Sequence, residues 1–154
     1  MRIVVQRVLQ AGVTVGGNSV GAIEHGICAL VGIAHDDTDK DLEYAVRKLL
    51  QLRLFANPDT KKGWDKNVME VNGGVLLVSQ FTLCHVLKGN KPDFHLAMSG
   101  PQAKVLFDQL VEMIRKTHPD PLKVQTGAFG EYMQVSIIND GPVTIQLNSR
   151  GEDP

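Results

Sequence analysis

The stretch from Gly26 to Ala34, GICALVGIA, is a continuous run of apolar and small residues. A run of this length without polar alternation is typical of a β-strand that is buried on both faces. A second run of this kind, VLLVSQF, extends from Val75 to Phe81 and turns polar only near its end. The two runs predict a protein built around a buried sheet.

Short apolar stretches on either side of these runs predict further strands. Glycine-containing breaks separate the stretches before Gly26, which is typical of a β-meander with a Gly-Gly-Asn hairpin turn at residues 16–18. The predicted strands are Ile3–Leu9, Val13–Val15, Ser19–Ile23, a short Arg53–Phe55, Met133–Ile138 and Val143–Leu147. The last two are joined through Asn139-Asp140-Gly141-Pro142, and Asp-Gly is a common hairpin turn. The polar composition of residues 57–67 predicts a loop.

Two segments have the apolar spacing of amphipathic helices. Thr38 and Asp41 form a capping-box pattern at the start of the first. Ser99 and Gln102 form the corresponding pattern at the start of the second, which should end before Pro119. The apolar stripes are Leu42, Ala45, Val46, Leu49 and Leu50, and Ala103, Leu106, Phe107, Leu110, Val111 and Ile114.

Length and composition indicate one α+β domain, with two long helices on a mainly antiparallel sheet system. Residues 1–148 are assigned to this domain and residues 149–154 to a polar C-terminal tail. No apolar run reaches the length of a membrane span, so no membrane partner is expected. The charged residues at the N-terminus indicate a first strand rather than a signal peptide.

The net charge limits the classes of partner that are expected, and the cysteine content indicates the cellular compartment. The formal net charge of −1 argues against a broadly basic nucleic-acid binder. Only Cys28 and Cys84 are present, without a disulfide framework, which favours a reducing, cytoplasmic compartment. The five histidines lack the spacing of metal ligands, and neither a GxGxxG motif nor a P-loop is present, so neither a metal nor another cofactor is expected.

Few local sequence patterns indicate a catalytic or binding residue. Ser79-Gln80 follows a buried strand, where polar residues either line a pocket or mark the exit of the strand into solvent. Cys84 and His85 are adjacent, and neighbouring side chains on an extended chain point to opposite sides, so they do not form a thiolate–imidazole pair. Phe94 and Phe129 flank polar loops and are candidates either for stacking on a base or for the core.

Two motifs together are more informative. They are Ser79-Gln80-Phe81-Thr82-Leu83 and Asn139-Asp140-Gly141-Pro142-Val143-Thr144. Together they resemble the two signature motifs of the D-aminoacyl-tRNA deacylase family, also called D-tyrosyl-tRNA deacylases. The similarity extends over nearly the whole chain, including residues 4–8, 13–15 and 132–135. The stretch KGNKPDFH from Lys88 to His95 resembles the eukaryotic branch of the family.

The resemblance implies a compact α+β homodimer with a barrel-like core. The implied reaction hydrolyses the ester between a D-amino acid and the 3′ end of tRNA, and also removes mischarged glycine. Ser79, Gln80, Phe81 and Thr82 are implied to line the pocket for the aminoacyl group and the terminal adenosine. Gly141 and Pro142 are implied to be a cis pair that enters the pocket of the partner subunit, with Arg7 fixing their orientation. Phe129 and Met133 are implied to form the wall around the adenosine.

Physical chemistry is consistent with this set of residues. A rigid backbone can occupy the position of an L side chain, and glycine allows a close approach. Such a pocket admits glycine, which has no side chain. The 2′-hydroxyl of the terminal ribose can orient or activate water, while backbone N–H groups hold the oxyanion. A catalytic triad is then unnecessary.

Two alternatives remain at this point. One is a DNA-binding or other nucleic-acid-binding module. The other is an esterase in which Ser79 or Thr82 is the nucleophile, although neither residue has a neighbouring base in the sequence.

Overall fold

A computed structural model describes residues 1–151, which form a mixed β-sheet with two long helices. The strands are β1 (Arg2–Val15), β2 (Asn18–Ile23), β3 (Gly26–Gly32), β4 (Gly74–Ser79), β5 (Val86–Lys88), β6 (Lys91–Asp93), β7 (Val124–Thr126) and β8 (Gln134–Asn148). The helices are α1 (Asp39–Gln51) and α2 (Gly100–Thr117), and short 3₁₀ turns cover Phe81–Cys84 and Pro121–Lys123. The α+β class predicted from the sequence is confirmed. No helix in the described part of the chain is long and apolar enough to cross a membrane.

The sheet is organised around β1. The hydrogen-bonded order is β2-β1-β3-β4-β7, and β8 also pairs with β1. β1 is antiparallel to β2, β3 and β8, whereas β3, β4 and β7 are parallel neighbours. The two ends of this order approach each other, because a Cβ atom on Gly21 of β2 would lie 2.1 Å from the carbonyl oxygen of Thr126 in β7. The sheet is therefore nearly closed into a barrel, as the family resemblance implied.

β3 and β4 are buried on both faces, as their apolar runs predicted. Ile27, Ala29 and Val31 contribute to a core cluster shared with both helices. Cys28, between them, belongs to a second cluster on the opposite side of the sheet, together with Leu76 of β4. Alternate residues along each strand thus serve different cores, because side chains on a strand alternate between faces.

Two strand boundaries predicted from the sequence are wrong. Gly12 does not divide the first strand, because it pairs with Ala22 of β2 and Ser136 of β8, and β1 runs through it. A Cβ atom at Gly12 would meet only ordinary contacts, at 3.6 Å or more. Residues 139–142 do not form a hairpin between two strands either. β8 is a single strand that pairs with β1 on both sides of this segment, at Gln6↔Thr144 and Val8↔Asn139. Residues 140–143 therefore bulge from β8 opposite Arg7 alone.

Two further expectations need correction. Arg53–Phe55 is not a strand, since Phe55 makes only an isolated bridge with Lys66 across the polar loop. The predicted strand Val75–Phe81 ends at Ser79, because the chain turns into the 3₁₀ segment beginning at Phe81.

The helix limits agree with the sequence signals. The backbone N–H of Thr38 donates to the Asp41 carboxylate at 2.7 Å, as a capping box requires. Ser99 is the N-cap of α2, but its hydroxyl donates to the Gln102 side chain at 2.9 Å instead of capping the backbone. α2 ends at Thr117, before Pro119, as predicted.

A polar cluster ties the beginning of β1 to the residues that follow β8. The α-ammonium of Met1 bonds to Asp37, and Ser149 and Arg150 bond to Asp41. Burial would raise the pKa of Asp41, but hydrogen bonds from Ser149, Thr38 and Arg150 outweigh it and hold that pKa well below its usual range. The domain limit at residue 148 stays a prediction, and residues 152–154 of the proposed tail lie outside the described part.

The first pair of the β3–β4 ladder, Gly26 and Gly74, has no room for a side chain. A Cβ atom on Gly26 would lie 2.0 Å from the carbonyl oxygen of Gly74. We expect Gly26→Ala to lower the free energy of unfolding by roughly 1–3 kcal/mol or more, since backbone must move to accept the methyl group. Urea denaturation measures this change. Gly12→Ala is the matched control, and equal destabilisation by both variants would contradict the expectation.

Candidate active site

β4 ends at the mouth of a cavity. Ser79 is its last residue, next to Val31 of β3, and the backbone N–H of Gln80 donates to the Val31 carbonyl at 2.8 Å. This bond fixes the point at which the buried strand turns into the 3₁₀ segment Phe81–Cys84. The polar residues after the buried run therefore line a pocket, the first of the two interpretations left open by the sequence.

The cavity has a volume of about 610 Å³, within the usual range for a binding site for one small ligand. Its lining is mostly apolar, with a few polar groups. The lining residues are Val31, Ile33, Val78, Ser79, Gln80, Phe81, Phe94, Ala97, Met98, Gly100, Ala103, Phe129, Gly130, Glu131, Tyr132, Met133 and Val135. Five of the predicted site residues, Ser79, Gln80, Phe81, Phe129 and Met133, thus meet at one site.

Thr82, the sixth predicted pocket residue, lies outside the lining and contacts the lining residue Gln80. The Gln80 side-chain amide donates to the Thr82 hydroxyl at 2.6 Å, whereas Thr82 is not among the lining residues. Nδ1 of His85 lies 3.0 Å from the carbonyl oxygen of Thr82, not from its hydroxyl. Within residues 1–151, neither Ser79 nor Thr82 has a hydrogen bond from its hydroxyl to a histidine or a carboxylate. In the described residues neither hydroxyl therefore has the neighbouring base that would activate it as a nucleophile.

The two cysteines offer no alternative nucleophile. Burial raises the pKa of the Cys28 thiol to about 12 and also raises the pKa of the Cys84 thiol. Both side chains are almost wholly buried. Among residues 1–151 there is also no group of three or more His, Cys, Asp or Glu residues that could hold a metal ion.

Aromatic rings form two sides of the cavity. Phe129 packs against Phe107 of α2, with ring centroids 5.7 Å apart. Phe81 and Phe94 make an edge-to-face contact at 5.1 Å. Phe94 follows the β5–β6 hairpin, in which Asp93 bonds to Lys88 at 2.8 Å and to His95. The bonds from Lys88 and His95 hold the pKa of the Asp93 carboxyl well below its usual range, so Asp93 stays ionised and anchors the hairpin.

A second group of predicted site residues lies outside this cavity and consists of Arg7, Gly141 and Pro142. The Arg7 guanidinium donates to the Leu54 carbonyl at 2.6 Å and lies 5.9 Å from the centre of the Trp64 ring. Its Nε atom is 3.1 Å from the Asp140 carboxylate, an ion-pair distance, although the N–H does not point at the oxygen. A Cβ atom on Gly141 would lie 3.1 Å from the same guanidinium. Arg7 therefore lies against two residues of the bulge, Asp140 and Gly141.

The bulge itself is exposed. Gly141 has a φ of 123°, in the region that favours glycine, and the Gly141–Pro142 peptide bond is cis. Both residues are exposed, and neither lines the 610 Å³ cavity. Within one chain, the structure therefore does not bring Gly141 and Pro142 together with Ser79 and Gln80.

Sequence reasoning missed several members of the site. Gly100 and Ala103 at the start of α2, and Glu131 and Tyr132 before β8, line the cavity. The small residues carry no signal apart from their place at a helix start, while Tyr132 lies inside a stretch noted only for its similarity.

The chain is similar in sequence to proteins of known activity. A family model described as D-Tyr-tRNA(Tyr) deacylase matches residues 4–148. A human protein named D-aminoacyl-tRNA deacylase 1 is 54% identical over 149 residues, covering 97% of this chain and 70% of the relative. A Leishmania major protein of the same name is 50% identical over 97% of this chain and 98% of its own.

Two solved structures are similar to this fold. One, named c-Myc DNA Unwinding Element Binding Protein, is 54% identical with a TM-score of 0.93, covering 98% of this chain and 100% of that chain. The other, described as a probable eukaryotic D-amino acid tRNA deacylase, is 20% identical with a TM-score of 0.80, covering 95% of this chain and 97% of that chain. The second comparison bears on the fold alone.

Proposed function

This chain belongs to the D-Tyr-tRNA(Tyr) deacylase family, and on that premise we propose that it hydrolyses the ester joining a D-amino acid to the 3′ end of tRNA. The family consists of hydrolases that act on carboxylic esters, so the chain is an enzyme of this class. The observation that supports the proposal best is that the segment beginning at Ser79, one of the two motifs, opens onto a cavity of about 610 Å³. That volume suits one aminoacylated nucleoside.

We assign roles within this cavity as part of the proposal. Ser79, Gln80 and Phe81 line the space for the aminoacyl group, and Thr82 holds the Gln80 side chain by the 2.6 Å hydrogen bond. Phe129 and Met133 form the wall against the adenine, an apolar surface suited to the face of a base. The cytoplasmic location stays a proposal, supported by two free, buried cysteines.

The central experiment follows ester loss from tRNA charged with D-tyrosine, D-aspartate, L-tyrosine or glycine. We expect the two D-aminoacyl-tRNAs and glycyl-tRNA to be hydrolysed and L-tyrosyl-tRNA to be spared, because selection by exclusion reads the configuration at Cα. Hydrolysis of only one class of D side chain would instead indicate recognition of the side chain. Equal hydrolysis of D- and L-tyrosyl-tRNA would overturn the proposal.

We further propose a homodimer in which Gly141 and Pro142 of one subunit complete the cavity of the other. Their exposure and their absence from the lining of the cavity in their own chain support this arrangement. Exposed apolar side chains nearby, Leu9 of β1 and Ile138 of β8, offer surface for such an interface. We expect sedimentation to give a dimer at the concentrations used in the assay. A monomer that keeps full deacylase activity would contradict the shared site.

We propose that catalysis uses the 2′-hydroxyl of the terminal ribose. Water adds to the ester carbonyl, the bond from the carbonyl carbon to the 3′ oxygen breaks, and the 3′ oxygen takes up a proton to leave as a hydroxyl. The 2′-hydroxyl orients the attacking water, while backbone N–H groups stabilise the developing oxyanion. The rival mechanism needs a base beside the Ser79 or Thr82 hydroxyl. Within residues 1–151 the Thr82 hydroxyl accepts a hydrogen bond from Gln80, and neither hydroxyl bonds to a histidine or a carboxylate.

A second candidate function is DNA binding, which is favoured only by the name of the 54% identical solved structure. Fluorescence anisotropy with duplex and single-stranded DNA at several salt concentrations tests it. Binding through phosphates would weaken steeply with salt. The net charge of −1 disfavours such binding to duplex DNA, and no binding at physiological salt would eliminate this candidate.

A further inference from the structure

Tyr132 stands at the mouth of the cavity with its ring in solvent. The residue lines the cavity, yet it is 85% exposed. The residues around it are anchored inward: Phe129 packs on Phe107, and Met133 packs against the core cluster that contains Val13. The two anchors fix the short segment between them, so the ring of Tyr132 is held at the rim.

No other group in residues 1–151 makes a hydrogen bond, ion pair or ring contact with Tyr132. The phenol hydroxyl and both faces of the ring are therefore available to a ligand. Two other aromatic residues of the site, Phe81 and Phe94, are already in contact with each other. Tyr132 is more exposed than Phe81, 85% against 58%, and its ring makes no aromatic contact within residues 1–151.

The tRNA chain that precedes the terminal adenosine could contact the Tyr132 ring. Under the proposed function, the cavity of about 610 Å³ holds the terminal adenosine and its amino acid, a volume usual for one small ligand. The phosphodiester chain must then leave through the mouth, and the preceding nucleotide must lie at the rim. Single-stranded RNA is commonly bound by stacking of its bases on aromatic side chains.

We propose that Tyr132 is a positioning residue that stacks on the base of the nucleotide preceding the terminal adenosine. The inference rests on the proposed function, because it assumes that the cavity holds that adenosine. Base–aromatic stacking of ordinary strength corresponds to a change of between about 5-fold and 150-fold in kcat/KM. The contact would favour esters on tRNA over small aminoacyl esters.

A double-mutant cycle tests the contact, with the wild type and Tyr132→Ala each assayed on D-tyrosyl-tRNA and on the same tRNA with an abasic penultimate nucleotide. We expect Tyr132→Ala to lower kcat/KM at least about fivefold on the normal substrate and to have little effect on the abasic one. Tyr132→Phe should retain activity, since the ring and not the hydroxyl makes the contact. Leu122→Ala, at an 84% exposed residue outside the cavity lining, is the matched control and should have no effect.

The outcomes separate this inference from the proposed function. If the wild type does not hydrolyse D-tyrosyl-tRNA, the proposed function itself is wrong. If the wild type is active and Tyr132→Ala is equally active, or loses the same factor on both substrates, the stacking contact is wrong. A change in the sedimentation of Tyr132→Ala would instead place the ring in a subunit interface and would also overturn the inference.

Discussion

D-tyrosyl-tRNA that ends in 2′-deoxyadenosine and is charged at its 3′ position should be hydrolysed about 10³-fold more slowly than the normal substrate. A positioned group that assists proton transfer in the transition state typically contributes roughly 10²–10⁴-fold. In the described residues the two candidates near the cavity are engaged elsewhere, since the Thr82 hydroxyl bonds to Gln80 and His85 faces a backbone carbonyl. The substrate hydroxyl, beside the scissile ester, is at high effective molarity. Single-turnover rates measure the effect without interference from product release.

Two variants provide the necessary control. Ser79→Ala and Thr82→Ala should each retain single-turnover cleavage within about tenfold of the wild type, because loss of one member of a nucleophile–base unit costs far more, roughly 10⁴–10⁶-fold. If Thr82→Ala is inactive and the deoxy substrate is cleaved normally, Thr82 is the nucleophile. If Ser79→Ala gives that result, the same conclusion holds for Ser79.

Gly141→Ala should lower the ratio of D- to L-tyrosyl-tRNA hydrolysis by roughly 10- to 100-fold. At a φ of 123° an L side chain is strained whatever space it finds, at a cost of about 1–3 kcal/mol. The new Cβ atom would also lie 2.9 Å from a methyl group of Val143 and 3.1 Å from the Arg7 guanidinium. The bulge must shift, and a displaced obstacle excludes an L side chain less well. Parallel measurements of kcat/KM on the two substrates give the ratio.

Gly16→Ala is the control for this substitution. Gly16 also has a positive φ, 55°, but a Cβ atom added there would have no neighbouring atom within 4 Å, and the residue belongs to the β1–β2 turn. The variant should lose some stability and keep its selectivity. An unchanged D/L ratio in a folded Gly141→Ala protein would show that the bulge does not read chirality.

The parts of the fold set by local sequence were predictable. α2 begins after Ser99 and ends before Pro119 because capping, apolar spacing and proline chemistry all act within a few residues. The β8 bulge was not predictable in the same way. Asp140-Gly141 has the composition of a hairpin turn, yet β1 pairs with residues on both sides of it, and that pairing depends on a strand far away in sequence.

In the candidate site, too, the residues next to a local sequence signal were predictable, and those placed by distant packing were not. Ser79 and Gln80 follow a buried apolar run, so a pocket at the end of this strand was one of two open interpretations, and the structure selects it. Gly100 and Ala103 reach the cavity only because α2 packs there. Tyr132 lies in no strand or helix, and only the packing of Phe129 and Met133 on either side brings its ring to the rim.

The pairing of β1 with β8 has a consequence for synthesis on the ribosome. Gln6 and Thr144 lie opposite each other, although 138 residues separate them along the chain. While the protein is being translated, β1 can pair with β2 and β3 early, but its other edge stays open until β8 has left the exit tunnel. An open strand edge pairs readily with other chains. We therefore expect nascent chains truncated before β8 to depend on chaperones to avoid aggregation, whereas full-length chains released from the ribosome should not.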